Sequence, residues 1–148
     1  FSRQGIASLP EGNDYEQARK GAYIVAGSDE NPDVILVASG SEVSTLEAGC
    51  DALRADGIKV RVVSAPSEGL FRRQSAEYQE SVLPYDVKKF GMTAGLPCTL
   101  EGLVGIGPNS KIFGMKSFGF SAPYKVLDEK LGYTGENVYQ QVKAFLGK

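Results

Sequence analysis

The sequence predicts an α/β domain of three layers, in which helices cover both faces of a central sheet. Two apolar runs, residues 32–39 (PDVILVAS) and 58–64 (IKVRVVS), have the β-branched composition of strands that are buried on both faces. A segment with the apolar spacing of a helix separates them. A strand, a helix and a strand in this order form a βαβ unit, which implies parallel pairing and a right-handed crossover.

The helix between these two strands has a predicted start and a predicted end. We expect Ser41 to supply an oxygen cap, and Glu42 to place a carboxylate where the helix dipole favours negative charge. Gly57 suits the left-handed conformation that often ends a helix. Four apolar residues between them form one face at helical spacing: Val43, Leu46, Cys50 and Leu53.

Further strands are predicted on either side of this unit. The segment YEQARK indicates a short helix or turn, and residues 22–26 follow as an edge strand. Residues 87–94 and 111–116 are also predicted as strands, although an internal glycine weakens each pattern.

Two helices are predicted near the end of the chain. The first follows a cap at Ser121 and ends at Gly132, and the second follows a cap at Thr134. The second helix has an apolar stripe made of Val138, Val142, Phe145 and Leu146.

Composition narrows the possible function classes. The 148 residues have a formal net charge of −2, which gives no basic field for nucleic acid or anionic membranes. No apolar run reaches membrane-spanning length and no signal-peptide pattern is present, so we expect a soluble, cytoplasmic protein. The chain has no histidine, which excludes Ser-His-Asp and Cys-His catalysis by this chain alone. Cys50 and Cys98 are expected to be small buried residues.

Four local patterns resemble functional motifs, but each has a simpler structural interpretation. The SGSE turn at Ser41 could bind an anion, although a helix cap explains it. Residues 102–107 (GLVGIG) lack the glycine order of a dinucleotide site and are predicted to form a loop. Ser117 lacks the histidine that a nucleophile elbow needs, and Arg72 with Arg73 is expected to be a solvated pair.

A series of motifs along the chain resembles one family. SRQ, LPEG and GAY lie near the start, NPDVILVASGSEVS and IKVRVVSAPS span the βαβ unit, and YQESVLP, FGFSAP and LGYTGENV follow. In order and spacing, over nearly the whole chain, they are similar to the carboxy-terminal domain of transketolases. The resemblance implies a five-stranded, mostly parallel sheet with one antiparallel edge strand.

The resemblance also implies a function for a longer enzyme. Transketolases are thiamine-diphosphate enzymes that transfer a two-carbon ketol unit between sugar phosphates and work as homodimers. In that family other domains bind the cofactor with Mg²⁺ or Ca²⁺, so this chain is expected to hold no cofactor, metal or catalytic residue. We therefore expect the isolated chain to be inactive and to have a structural, dimer-supporting role.

The same resemblance implies a domain division and one substrate-binding residue. Residues 1–12 are expected to be the tail of a preceding pyrimidine-binding domain or a linker, and residues 13–148 the carboxy-terminal domain. The arginine of the SRQ segment contacts the sugar phosphate in the family, which implies this role for Arg3. A guanidinium suits it, because it stays charged and holds phosphate through two parallel hydrogen bonds.

The sequence departs from the family pattern at several positions. Thr93 stands where most transketolases have an acidic residue, CTLEGL stands where an aromatic and basic cluster is usual, and Ser117 stands where arginine is usual. Sequence drift explains these departures equally well, but a dihydroxyacetone synthase, which uses formaldehyde as acceptor, is an alternative. Two others are a module that binds a partner protein at the sheet edge near residues 22–26, and a nucleotide-binding domain with its ligand near Gly40.

Overall fold

The computed structural model describes residues 15–27 and 31–148, and it contains a five-stranded sheet with helices on both faces. The strands are β1 Tyr23–Ala26, β2 Val34–Ala38, β3 Val60–Ser64, β4 Lys88–Met92 and β5 Ser110–Phe113. The helices are α1 Tyr15–Ala18, α2 Glu42–Ala55, α3 Glu68–Phe71, α4 Ala76–Val82, α5 Glu101–Val104, α6 Tyr124–Leu131 and α7 Gly135–Leu146, with a 3-10 helix at Pro97–Leu100.

The strands lie in the order β1-β3-β2-β4-β5. β1 pairs antiparallel with β3 at one edge, and every other neighbouring pair is parallel. This arrangement confirms the predicted fold class, including the edge strand at residues 22–26. All five residues of β2 are buried, which matches the continuous apolar run from which the strand was predicted.

The side chains of β2 divide between two helical layers because successive residues of a strand point to opposite faces. Val34, Leu36 and Ala38 pack in the core beneath α2 and α7, which we call the long-helix layer. Ile35 and Val37 pack in the core beneath α3, α4 and α5, which we call the short-helix layer.

In the long-helix layer, α2 and α7 approach each other closely at two glycines. A Cβ added to Gly49 would lie 2.8 Å from the carbonyl oxygen of Gly135, so only glycine fits at this crossing. Thr134 caps α7 as predicted, since its side chain accepts a hydrogen bond from the Asn137 N–H. Val138 and Val142 of the predicted stripe are fully buried.

The ends of α2 and α7 are joined by a polar cluster at the surface. Lys143 Nζ lies 2.6 Å from Asp56 Oδ2, and Tyr139 Oη donates to the same oxygen at 2.8 Å. The hydrogen bond from Lys143, and then that from Tyr139, lowers the pKa of Asp56. The hydrogen bond to Asp56 raises the pKa of Lys143.

The short-helix layer is attached to the sheet by two buried cations. Arg61 and Lys89 lie on the strands either side of Ile35 and pair in register with it. Arg61 Nη1 donates to the carbonyls of Ser81 at 2.9 Å and Val82 at 3.3 Å. Both bonds fall in the last turn of α4, where helix carbonyls lack partners and the dipole favours a cation.

Lys89 makes comparable bonds just beyond α4. Its ammonium donates to the carbonyls of Pro84 at 2.5 Å, Val87 at 3.0 Å and Tyr85 at 3.3 Å. Desolvation lowers the pKa of Lys89, as it does that of Arg61. Backbone carbonyls inside the protein therefore accept hydrogen bonds from both cations.

Several local predictions are corrected by the structure. Helix α2 begins at Glu42 as expected, but Ser41 has helical backbone angles and its side chain makes no cap bond. Ser41 Oγ instead donates to Glu42 Oε1 at 2.8 Å. The cap predicted at Ser121 is also wrong, because α6 begins only at Tyr124, after Pro123.

The predictions for residues 102–107 and for the two cysteines are only partly confirmed by the structure. The loop prediction is wrong for the first residues of that segment, which belong to α5, whereas Gly105 leaves the helix at φ 88°. Cys50 is buried as predicted, and burial raises the pKa of its thiol to about 12. Cys98 is exposed, contrary to the prediction, because it lies in the 3-10 helix at the surface.

Candidate functional site

A crevice of about 770 Å³ lies beyond the carboxyl ends of the central strands. β2 leads through α2 to β3 on one side, whereas β4 lies on the other side of β2. The order of strands therefore reverses between β2 and β4, which is where open α/β sheets bind ligands. This crevice is the candidate site that the topology predicts, and Ser41 and Gly95 line it from the two sides.

The floor of the crevice is made by two loops that are hydrogen-bonded to each other. The N–H of Met115 donates to the carbonyl of Gly95 at 2.9 Å, and the N–H of Gly95 donates to Thr93 Oγ1 at 3.1 Å. Tyr133 Oη donates to the carbonyl of Thr93 at 2.8 Å. Burial, and then the charge of Glu42, raises the pKa of Tyr133, so its hydroxyl stays protonated and remains a donor at neutral pH.

The charge at the start of α2 argues against a phosphate ligand in this crevice. Helix N-termini attract anions through free N–H groups and the dipole. Here Glu42, the first residue of α2, already places a carboxylate on the crevice wall. This charge would repel a second anion, so the nucleotide-binding alternative near Gly40 receives no support from the geometry.

The outer rim of the crevice is apolar and exposed. Leu96, Phe118, Phe120 and Tyr124 all line it, and we call these four residues the aromatic face. Their exposed fractions are 56%, 97%, 64% and 44%, respectively. The sequence prediction did not identify this face.

A second cavity, of about 780 Å³, lies between α4 and α5 in the short-helix layer. Lys89 lines this cavity, but its ammonium already donates hydrogen bonds to three backbone carbonyls. Arg72 on its rim lies 2.6 Å from Glu68 Oε1 through Nε and donates to the Gly102 carbonyl at 3.0 Å. Arg72 and Arg73 are exposed as predicted, and the bonds of Arg72 are structural.

Comparison with known proteins shows to which family this chain belongs. A family profile described as "Transketolase-like TK C-terminal domain" matches residues 21–134. The chain belongs to the transketolase family. Transketolase 1 of Vibrio vulnificus is 42% identical over 148 residues, which are 99% of this chain and 22% of that protein. A Staphylococcus aureus transketolase is 41% identical over 138 residues, 93% of this chain and 20% of its own length. The chain thus spans about a fifth of the transketolases it matches.

Solved transketolase structures have the same fold. A Leishmania mexicana transketolase superposes with a TM-score of 0.86 at 34% identity, covering 98% of this chain and 20% of that one. A Pichia stipitis transketolase in complex with sedoheptulose-7-phosphate gives the same TM-score at 32% identity and the same coverage. The five-stranded sheet is therefore that of a transketolase carboxy-terminal domain.

The described residues do not form a site for the diphosphate and metal that the family resemblance implies. Within residues 15–27 and 31–148, no three His, Cys, Asp or Glu side chains cluster as metal ligands. The crevice carries Glu42 where a diphosphate would need positive charge or free N–H groups. In the same part of the chain, no helix has the length and hydropathy to cross a membrane.

The predicted substrate-binding residue of the transketolase, Arg3, lies outside the described residues, as does the proposed boundary near residue 12. Ser117 is exposed, and its hydroxyl donates to the carbonyl of Phe118 at 3.3 Å.

Proposed function

We propose that this chain is the carboxy-terminal domain of a thiamine-diphosphate-dependent transketolase that transfers a two-carbon ketol unit between sugar phosphates. The observation that carries the proposal is the alignment with transketolases over 99% of the chain. The Pichia stipitis relative was solved with a sugar phosphate, which supports this substrate class. The parent enzyme is proposed to act in the cytoplasm as a homodimer.

The proposed role of this domain is structural support of that enzyme. Thiamine diphosphate would supply an electron sink for the ketol carbanion when bound, together with Mg²⁺ or Ca²⁺, by parts of the enzyme outside this chain. The chain has no histidine, and burial keeps the Cys50 thiol protonated at neutral pH by raising its pKa to about 12. Neither an imidazole nor a Cys50 thiolate is therefore available as a base or nucleophile at neutral pH.

Arg3 is proposed to be the one residue of this chain that contacts substrate. Held at the far end of a sugar, the phosphate contributes binding energy that positions a distant reacting carbon. Residues 1–12 would then be the end of the preceding domain or a linker, and residues 13–148 the carboxy-terminal domain.

Replacing Arg3 with glutamine in the full-length enzyme tests this role. We expect kcat/KM for phosphorylated donors and acceptors to fall. The decrease should correspond to a loss of about 1.5–3 kcal/mol in transition-state stabilisation, the strength of a hydrogen bond to a charged group. Small unphosphorylated acceptors such as formaldehyde should be spared. Arg73→Gln, at an exposed arginine of the short-helix layer, is the control and should leave both classes unchanged. Equal losses for both classes would remove Arg3 from this role.

The division of labour has a separate test. The 148-residue chain, supplied with thiamine diphosphate, Mg²⁺ and a ketose phosphate, should show no ketol transfer above the buffer rate. Turnover by this chain alone would overturn the structural role.

A further inference from the structure

The four residues of the aromatic face line one crevice and are exposed in the described part of the domain. Isolated exposed apolar side chains are ordinary, but a contiguous group is typical of an interaction site. The four residues share one crevice, and Phe118 is 97% exposed. Exposure of apolar side chains to water is unfavourable, and a covering protein surface would remove this cost.

The elements around the aromatic face show the same lack of cover. Helix α6 has no buried residue, although Leu127 and Leu131 lie toward the crevice. Val126, which does not line the crevice, is another apolar residue at 40% exposed. Apolar residues thus lie on two sides of α6 without being buried in the described part of the domain. The neighbouring edge strand β5 is likewise only half-buried along its whole length.

The covering surface can be argued from length and charge. The chain spans about a fifth of its transketolase relatives, and the matching profile is that of a carboxy-terminal domain, so most of each relative precedes the matched region. A second copy of this chain is a poorer partner, because the charged groups of the crevice are Glu42, Asp128 and Lys116. A symmetric pair would bring two crevices of net negative charge together.

We infer that the aromatic face packs against the preceding domains of the same transketolase polypeptide, so that Phe118 and Phe120 are buried in the full-length enzyme. This inference rests on the proposed function, since it requires a longer parent chain. Beyond that function, it names the aromatic face as the surface through which the carboxy-terminal domain contacts the rest of the enzyme. It also predicts that the partner surface is apolar and neutral or basic.

Thiol labelling of the full-length enzyme tests the inference without using activity. Phe118→Cys and Phe120→Cys are compared with Tyr85→Cys, whose native side chain is 89% exposed beside the other cavity. Maleimide labelling of each position is followed by peptide mass spectrometry and normalised to the urea-unfolded enzyme. We expect positions 118 and 120 to react slower than position 85 by on the order of tenfold or more, because a buried thiol reacts only on opening.

The outcomes separate the possible partners. Equal labelling at positions 118 and 85 would overturn the inference. Protection at position 118 that disappears on dilution to monomers would also overturn it, since the partner would then be a second copy. An unchanged preference for phosphorylated substrates in Arg3→Gln would contradict the proposed role of Arg3 and leave the labelling result intact.

Discussion

The two helical layers of the domain are held to the sheet by different interactions. In the long-helix layer, α2 and α7 have 14 and 12 residues and bury a large apolar cluster. In the short-helix layer, each of α3, α4 and α5 has seven residues or fewer, and Arg61 and Lys89 reach from the strands to backbone carbonyls. Long helices bury enough side chains to be positioned by packing, whereas short ones depend more on directed polar bonds.

Removal of Lys89 tests the short-helix layer and should have the largest effect on stability. Lys89→Ala leaves the carbonyls of Pro84, Tyr85 and Val87 without their buried donor, so we expect the free energy of unfolding to fall by about 3 kcal/mol. Urea unfolding followed by circular dichroism measures the change.

The neighbouring lysine provides the matched control for Lys89. Lys88 is half-buried on the opposite face and donates to one carbonyl, that of Phe145, at 3.3 Å. Lys88→Ala should therefore cost only about 1 kcal/mol. An equal decrease in the free energy of unfolding for the two variants would mean that the buried hydrogen bonds of Lys89 add no stability beyond that of a half-buried lysine.

A methyl group at the crossing of α2 and α7 tests the long-helix layer. In Gly49→Ala the new Cβ would lie 2.8 Å from the Gly135 carbonyl oxygen and 2.9 Å from Val138 Cβ. We expect a loss of about 2 kcal/mol in the free energy of unfolding, because the helices must separate. Gly69→Ala, in α3, is the control, since no atom lies within 4 Å of its added Cβ. A loss in the control as large as that at Gly49 would show that packing does not position α7.

The surface cluster of Asp56, Tyr139 and Lys143 should give the smallest effect, and one that depends on pH. The pKa of Asp56 is lowered in the folded state, so its contribution is present above the unfolded pKa of about 3.9 and is lost as pH falls through the folded value. The pKa of Lys143 is raised, so its contribution is lost as pH rises through a value above about 10.4.

Asp56→Asn measures the size of that contribution. The variant should be less stable than the wild type at pH 7, and the difference in urea midpoint should vanish in strong acid. Asp51→Asn, at a carboxylate whose side chain is 96% exposed, should show a smaller difference at pH 7. A difference for Asp56→Asn that stays constant from pH 7 to strong acid would contradict the assigned pairing.

The same contrast between layers explains what could be predicted from sequence. The βαβ unit and α7 have local signals: continuous apolar runs, stripes at helical spacing and a cap at Thr134. Helices α3 and α4 begin with serine caps, at Ser67 and Ser75, but they are too short for a stripe to stand out. The position of α4 depends in part on Arg61, which lies 20 residues away in the sequence from its acceptor Ser81.

The candidate site was predictable only in part. The carboxyl end of a buried strand near Gly40 was identified from the sequence, whereas the reversal of strand order there depends on the position of β4, which the βαβ pattern does not give. The aromatic face was not predicted, because an exposed phenylalanine such as Phe118 looks the same in a sequence as a buried one such as Phe90. The role proposed for Arg3 came from the family resemblance alone, since no local pattern marks this arginine as functional.

Consecutive lysines at the start of β4 also restrict how this strand can align. Lys88 points to α7 and Lys89 to α4, so a shift of one residue would exchange their faces and move Phe90 out of the long-helix core. An ammonium would then be left inside an apolar cluster without carbonyl acceptors. Two charges thus select a single alignment of a central strand, a specificity that a wholly aliphatic strand would lack.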